Sequence, residues 1–311
     1  MIRPTASTLT RFARVSTALA CAFLVACSQP PVKSVPEGTA AVIEANRRAD
    51  AYFRSGNLDA AARYYREAMR LARSIEDADS IAANAINLSI VYQRMGRSDG
   101  ARASLDAVRE QDGKLVFPPD RLAQVALRRA VLDMDEQKFP SAAGWVERAA
   151  AYCKNCPLSA GIHNVRAQLA LEGGDIDNAI ASGRAGLSAS RSSGDRAETA
   201  NALRVLGLAA IRTGDAAAAF GFLDEALVVD REIAVPRKIY LDLVALGRAK
   251  ALGGDRKAAL SYYERAFVVS DAARDSRGAA EARALIEAIN ERRDTDSSGT
   301  PAATVESHAG Q

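Results

Sequence analysis

Apolar residues recur at helical spacing along most of the chain, and short polar turns interrupt them at regular intervals. Around Gly214, for example, Leu203 and Leu206 lie three residues apart before the glycine, and Ala219 and Leu223 lie four apart after it. Spacings of three and four place side chains on one face of an α-helix. Each interruption therefore predicts a turn between two amphipathic helices.

The interruptions recur about every forty residues, with gaps of 37 to 41, and all but one carry glycine. A residue in the left-handed conformation ends many helices, and glycine adopts it at little cost because it has no Cβ. The sequence predicts six helical hairpins followed by a last helix over 277–293. The predicted turn positions are Gly56, Gly96, Gln137, Gly174, Gly214 and Gly254.

A small residue recurs at one register in each helix of the predicted hairpins. The distance between two packed helices depends on the side chains at their contact, so small residues at both registers predict a close crossing within every hairpin. In the first helices these residues are Ala49, Ser89, Ala130, Ala167, Gly207 and Gly247. In the second helices they are Ala61, Ala101, Ala142, Ala179, Ala219 and Ala259.

This pattern resembles the tetratricopeptide repeat over about 39–270, with a unit roughly six residues longer than the family's 34. The resemblance implies an all-α, right-handed α-solenoid of about six hairpins with a C-terminal capping helix, and the longer unit leaves its superhelical pitch open. The best matches to the family pattern are Tyr52, Gly56, Ala61, Tyr65 and Ala68 in the first unit, and Leu206, Gly207, Gly214, Ala219 and Ala226 in the fifth.

The resemblance also implies a concave face that binds a peptide or helix of a partner protein. Amides there can hydrogen-bond an extended backbone, and guanidinium groups can pair with carboxylates. The alternative is that these positions are simply solvated. The predicted partner-binding residues are Asn164, Gln168, Asn201, Arg204, Arg212 and Arg248.

The N-terminus has the build of a signal peptide. Three arginines precede a twelve-residue apolar run, 15–26, which is too short to span a bilayer comfortably. Leu24-Val25-Ala26-Cys27 resembles the bacterial lipobox, which implies removal of 1–26 and lipidation of Cys27. Ser28 in such lipoproteins implies sorting to the outer membrane, facing the periplasm. The alternatives are an ordinary secretory signal or an uncleaved anchor.

Composition sets the domain organisation and excludes some partners. Without the three arginines of 1–26, the 41 basic residues become 38, equal to the 38 acidic ones. Such a balance lacks the positive charge that nucleic-acid binding demands. We expect a flexible tether over 27–38, the solenoid over 39–293 and a disordered tail over 294–311.

The remaining candidate chemistry is the pair Cys153 and Cys156. In an oxidising compartment these cysteines predict a disulfide that stiffens the joint between the third and fourth units. A thioredoxin-like centre would instead place them at a helix N-terminus after a strand, which the pattern does not predict.

No phosphate-binding glycine loop, zinc-protease motif or nucleophile elbow is present in the sequence. We therefore expect a non-enzymatic outer-membrane lipoprotein without cofactor or metal, which acts as a scaffold for periplasmic or outer-membrane proteins. A thiol-redox lipoprotein and a small-ligand sensor remain alternatives.

Overall fold

The computed structural model of the chain describes residues 35–109, 115–154 and 156–298. Within these ranges the chain forms thirteen helices. They are α1 (Glu37–Arg54), α2 (Leu58–Ser74), α3 (Ala78–Arg94), α4 (Ser98–Leu105), α5 (Pro119–Asp135), α6 (Phe139–Tyr152), α7 (Ser159–Glu172), α8 (Ile176–Ser193), α9 (Arg196–Arg212), α10 (Ala216–Ile233), α11 (Pro236–Leu252), α12 (Arg256–Ala272) and α13 (Ser276–Ser298).

Consecutive helices pack as six antiparallel hairpins, and α13 packs on α12 at the C-terminal end. The predicted fold class, an all-α solenoid of six hairpins with a C-terminal helix, is confirmed. Helix α1 begins at Glu37, inside the stretch predicted as tether, and α13 extends five residues past the predicted boundary at 293. The predicted signal peptide, the lipidation site Cys27 and the end of the tail lie outside the described residues.

All six predicted turn positions adopt the left-handed conformation. The glycines have φ between 70° and 82°, and Gln137, which lacks glycine's freedom, has φ 58°. Four further left-handed residues lie between successive hairpins, where the sequence pattern did not predict them. The repeat is therefore built of half-units of about twenty residues. The four additional residues are Glu76, Gly194, Ala234 and Arg274.

An Asp or Asn directly after most of these turns caps the next helix. The side chain of Asp215, for example, accepts a hydrogen bond from the backbone N–H of Ala218 at 2.9 Å. Such a cap satisfies one of the helix's unpaired N–H groups. The other residues that cap in this way are Asn57, Asp77, Asp175, Asp195, Asp255 and Asp275.

The predicted close crossings are confirmed. Every alanine at the two registers, and Ser89 with them, is fully buried. At Gly207 a Cβ would lie 2.5 Å from Cγ of Leu223, and at Gly247 a Cβ would overlap the ring of Tyr263. In these two hairpins, glycine is the residue that lets the helices approach.

The odd-numbered helices form the inner layer of the array. Each of α1, α3, α5, α7 and α9 contacts the next odd-numbered helix, whereas no two even-numbered helices are in comparable contact among the described residues. In a curved stack the elements on the inside lie closer together than those outside. The concave face is therefore formed by the odd-numbered helices, as the family resemblance implies.

The second hairpin departs from the pattern of the others. Helix α4 has 8 residues, whereas α2, α8, α10 and α12 have 17 or 18. Its packing on α5 is correspondingly much weaker than the packing of α2 on α3. The chain after α4 buries Val108 and Phe117 against the core instead of continuing as a helix.

Candidate functional site

The inner surface of the odd-numbered helices carries the polar side chains that the sequence proposed for partner binding. The six predicted residues separate into two groups. Asn164 and Arg204 are only 4% and 8% exposed, and Asn201 is half-buried. The other three, Gln168, Arg212 and Arg248, are exposed.

Arg204 is occupied by neighbouring helices. Its Nε donates to Oδ1 of Asp242 on α11 at 2.6 Å, and its Nη2 donates to Asp230 on α10. A third donor, Nη1, reaches Oδ1 of Asn201 at 3.1 Å. The guanidinium group thus joins three helices, and its burial removes Arg204 from the candidate partner-binding residues.

Asn164 has a similar structural role between α7 and α9. Its Nδ2 donates to the backbone oxygen of Glu198 at 2.8 Å and to Oε2 of the same residue at 2.7 Å. Asn201 donates to that carboxylate at 3.1 Å and accepts from Lys238 of α11. We therefore correct the expectation for Asn164 and Asn201 as well, because the inner helices approach closely enough to use these side chains between themselves.

The buried carboxylates beside Arg204 are electrostatically unusual. Asp242 is fully buried and its Oδ2 has no hydrogen-bond partner. Burial, together with the neighbouring Asp230, raises the pKa of Asp242 to about 7, although the contact with Arg204 opposes that rise. Burial also lowers the pKa of Lys238 nearby. This cluster is a structural element, but its stability depends on pH.

The exposed candidates occupy repeated registers on the inner helices. Gln168 and Arg248 each lie six residues before the left-handed turn residue of their unit. Arg212 lies two residues before its turn, at the register that Arg54 and Arg94 occupy in the first two units. Arg248 approaches Glu281 of α13 at 3.7 Å. Arg212 and Arg248 therefore present cations along the concave surface, and Gln168 presents an amide.

A second polar cluster lies where α3 meets α5. Arg128 donates to Oγ of Ser89 at 2.9 Å and also to Gln93, and Gln93 donates to Asp135. Burial raises the pKa of Asp135, and burial lowers the pKa of Arg128 to about 10. Arg128 therefore keeps its charge at neutral pH.

Asp135 also interacts electrostatically with two arginines that are distant in the sequence. Arg237, at the start of α11, and Arg277, at the start of α13, both favour its ionised form electrostatically. Arg237 belongs to the sixth unit and Arg277 to the final helix, whereas Asp135 belongs to the third unit. Sequence analysis missed Asp135, Arg237 and Arg277 because no local pattern relates residues more than 100 positions apart.

Comparison with known proteins agrees with this architecture. A family model described as tetratricopeptide repeat matches residues 39–111. Solved structures match most of the chain, including a Rap protein in complex with Competence and Sporulation Factor, at 13% identity and a TM-score of 0.61. That match covers 83% of this chain and 72% of the other. The chain therefore contains tetratricopeptide-repeat sequence over 39–111 and has the fold of a tetratricopeptide-repeat solenoid.

Two further structures have the same fold. A signal transduction ATPase with a tetratricopeptide repeat sensor from Pyrococcus horikoshii is 14% identical, with a TM-score of 0.57, over 86% of this chain and 42% of that one. PilW, a type IV pilus biogenesis factor, is 14% identical, with a TM-score of 0.52, over 77% of this chain and 97% of that one. At these identities the likeness establishes the fold alone. No curated protein sequence matches significantly.

Outside the groove, Cys153 and Cys156 lie at the joint between α6 and α7. Their sulfur atoms lie at bonding distance, and their Cα atoms are 5.1 Å apart. Cys153 ends α6, and the Sγ atom of Cys156 accepts a hydrogen bond from the backbone N–H of Leu158. The pair follows a helix, so it lacks the setting that lowers a thiol pKa in redox enzymes.

We expect the double variant Cys153→Ser, Cys156→Ser to fold and to lose about 2 kcal/mol of unfolding free energy or less, because the bond closes only a short loop. Alkylation followed by mass measurement should modify two more cysteines after reduction than before it. Equal modification of the wild-type chain in both conditions would show that the two thiols are free.

The described residues offer no other evident chemistry. His163 is half-buried, and its pKa is lowered by burial and by Arg166. No group of three His, Cys, Asp or Glu side chains in the described ranges is arranged to hold a metal ion. Each helix within those ranges is too short or too polar to cross a bilayer.

Proposed function

We propose that this tetratricopeptide-repeat protein is a non-catalytic adaptor that binds an acidic segment or C-terminus of a partner protein in its concave groove. The observation that carries the proposal is the charge of the inner surface. Exposed Arg212 and Arg248 lie on the inner helices, and Arg237 and Arg277 at the C-terminal end of the array favour the ionised form of Asp135 electrostatically. Guanidinium groups are well suited to bind carboxylates in pairs of hydrogen bonds.

The fold supports a role in protein interaction. The related Rap structure contains a bound Competence and Sporulation Factor, and PilW is a pilus biogenesis factor. Superhelical repeat arrays present extended concave surfaces of the kind that bind partners. The identity of the partner is a separate question, because a fold hosts many functions.

Substitution of the exposed arginines tests the groove. We expect the double variant Arg212→Glu, Arg248→Glu to lower recovery of partner proteins by about tenfold or more after crosslinking in intact cells and affinity purification, because two favourable charge pairs become repulsive. Arg184→Glu, an exposed arginine on α8 outside the inner layer, is the matched control. Recovery of every partner at the wild-type yield from the double variant would contradict the proposal.

We further propose that the adaptor is anchored in the outer membrane by lipid on Cys27 and faces the periplasm. The support is the lipobox resemblance of Leu24 to Cys27 and the serine that follows it. Several acyl chains, each methylene contributing about 0.8 kcal/mol, give stable attachment without a spanning helix.

We expect Cys27→Ser to abolish incorporation of labelled palmitate and to move the chain out of the outer-membrane fraction. Cys21→Ser, six residues earlier within the apolar run, is the control and should leave both unchanged. Palmitate incorporation that survives in Cys27→Ser would place the lipid elsewhere.

A further inference from the structure

The shortened helix α4 leaves a cavity on the outer side of the third unit. Its volume is about 340 Å³, and it is bounded by the residues after α4, by α5 and by α6.

Longer helices at the equivalent position in the first, fourth, fifth and sixth units cover the corresponding surface. The cavity therefore lies where about two further turns of α4 would pack.

The floor of this cavity is apolar. Leu122, Val125 and Ala126 of α5 form it, and the latter two are almost fully buried. Trp145 of α6 forms one wall, half-exposed, and Tyr152 lies beyond it on the same helix. A volume of this size accommodates a few apolar side chains rather than a large ligand.

The rim of the cavity is strongly basic. Arg109, Arg129 and Arg148 surround it, whereas Asp106 is the one carboxylate among the lining residues. Arg129 and Arg148 both stack on the ring of Trp145, with Cζ at 4.7 and 4.6 Å from its centroid.

The carboxylate of Asp106 is already used. Arg129 donates to it in an ion pair, while Arg109 donates to the backbone oxygen of Asp106 at 3.2 Å. Arg148 is exposed and makes no ion pair among the described residues. Two of the three guanidinium charges at the rim are therefore not neutralised by a carboxylate of the described chain.

We propose that this cavity is a second docking site, which binds an acidic amphipathic helix of a partner protein in the place of the missing turns of α4. Leucine-like side chains of that helix would occupy the apolar floor, and its carboxylates would pair with Arg109 and Arg148. Helices bind grooves in this way through apolar residues at i, i+3 and i+4. The site lies on the outer side of the array and does not depend on the proposed groove function.

Trp145 supplies a direct measurement, because it is the single tryptophan of the chain. The probe is a synthetic amphipathic peptide of about 18 residues, long enough to form a helix on binding, with leucines along one face and flanking glutamates. We expect it to shift the tryptophan emission of the full-length protein saturably. A counterpart with lysines in place of the glutamates should cause no shift.

Arg148→Ala is expected to weaken binding of the glutamate peptide by about tenfold. Arg184→Ala, which removes an exposed arginine of α8, is the matched control and should bind as the wild type does. An unchanged melting temperature of Arg148→Ala would show that its fold is intact.

Three outcomes would overturn the proposal. They are equal binding of the glutamate and lysine peptides, binding of the glutamate peptide to Arg148→Ala as tight as to the wild type, and a saturable shift caused by inorganic phosphate alone. Loss of binding in Arg212→Glu, Arg248→Glu but not in Arg148→Ala would also overturn it, since the peptide would then lie in the groove. Failure of this site leaves the groove proposal untouched.

Discussion

Replacing Gly207 by alanine is expected to lower the free energy of unfolding by about 1 to 3 kcal/mol. Alanine is ordinarily the better helix residue, by about 1 kcal/mol. Here the added Cβ would lie 2.5 Å from Cγ of Leu223, which is fully buried. Overpacking of the helix crossing therefore outweighs the gain in helix propensity.

Gly221→Ala is the matched control, because Gly221 lies in the same hairpin with no atom within 4 Å of an added Cβ. We expect it to raise stability by roughly 0.5 to 1 kcal/mol. Urea unfolding followed by circular dichroism measures both variants. If both substitutions changed the urea midpoint in the same direction, the close crossing of α9 and α10 would not be the reason that position 207 requires glycine.

Replacing Arg204 by methionine is expected to cost about 3 to 5 kcal/mol near pH 8, because it leaves buried carboxylates without their cation. Arg204 is the common partner of Asp230 and Asp242, and the remaining cation nearby, Lys238, donates to Asn201. Urea unfolding at pH 8 and pH 5 measures the loss.

The sign of the pH effect follows from Asp242. Its pKa in the folded chain, about 7, lies above the ordinary value of 3.8. The folded state therefore binds more protons than the unfolded state between these values, so stability from this group falls as pH rises from about 4 to about 7. The cost of Arg204→Met should accordingly be smaller at pH 5 than at pH 8.

Asp242→Asn is the control for this prediction. The amide keeps an acceptor for Arg204 and removes the charge that faces Asp230. The unfolding free energy of the variant, relative to that of the wild type, should therefore increase as pH rises. Glu198, which favours the charged form of Lys238, is unchanged in the Arg204→Met and Asp242→Asn variants. Equal losses for Arg204→Met at both pH values would contradict the assignment of the pH dependence to this cluster.

Local backbone and packing requirements were accessible from the sequence. The turn glycines and the small residues at the crossings were predicted correctly, because a left-handed residue and a close helix approach each restrict the residue type at a single position. Gln137 was predicted as a turn position only because it falls at the forty-residue spacing of the turn glycines. Glu76 and Arg274 were missed, because neither residue type signals a left-handed turn.

The tertiary structure decided which polar residues remain available to a partner. Asn164 and Arg204 have the same residue types as good binding residues, and their burial depends on how closely neighbouring hairpins stack. The electrostatic effect of Arg237 and Arg277 on the pKa of Asp135 depends on how successive units are rotated relative to one another. Sequence determines the repeated unit because its constraints are local, whereas the groove results from small rotations summed along the whole array.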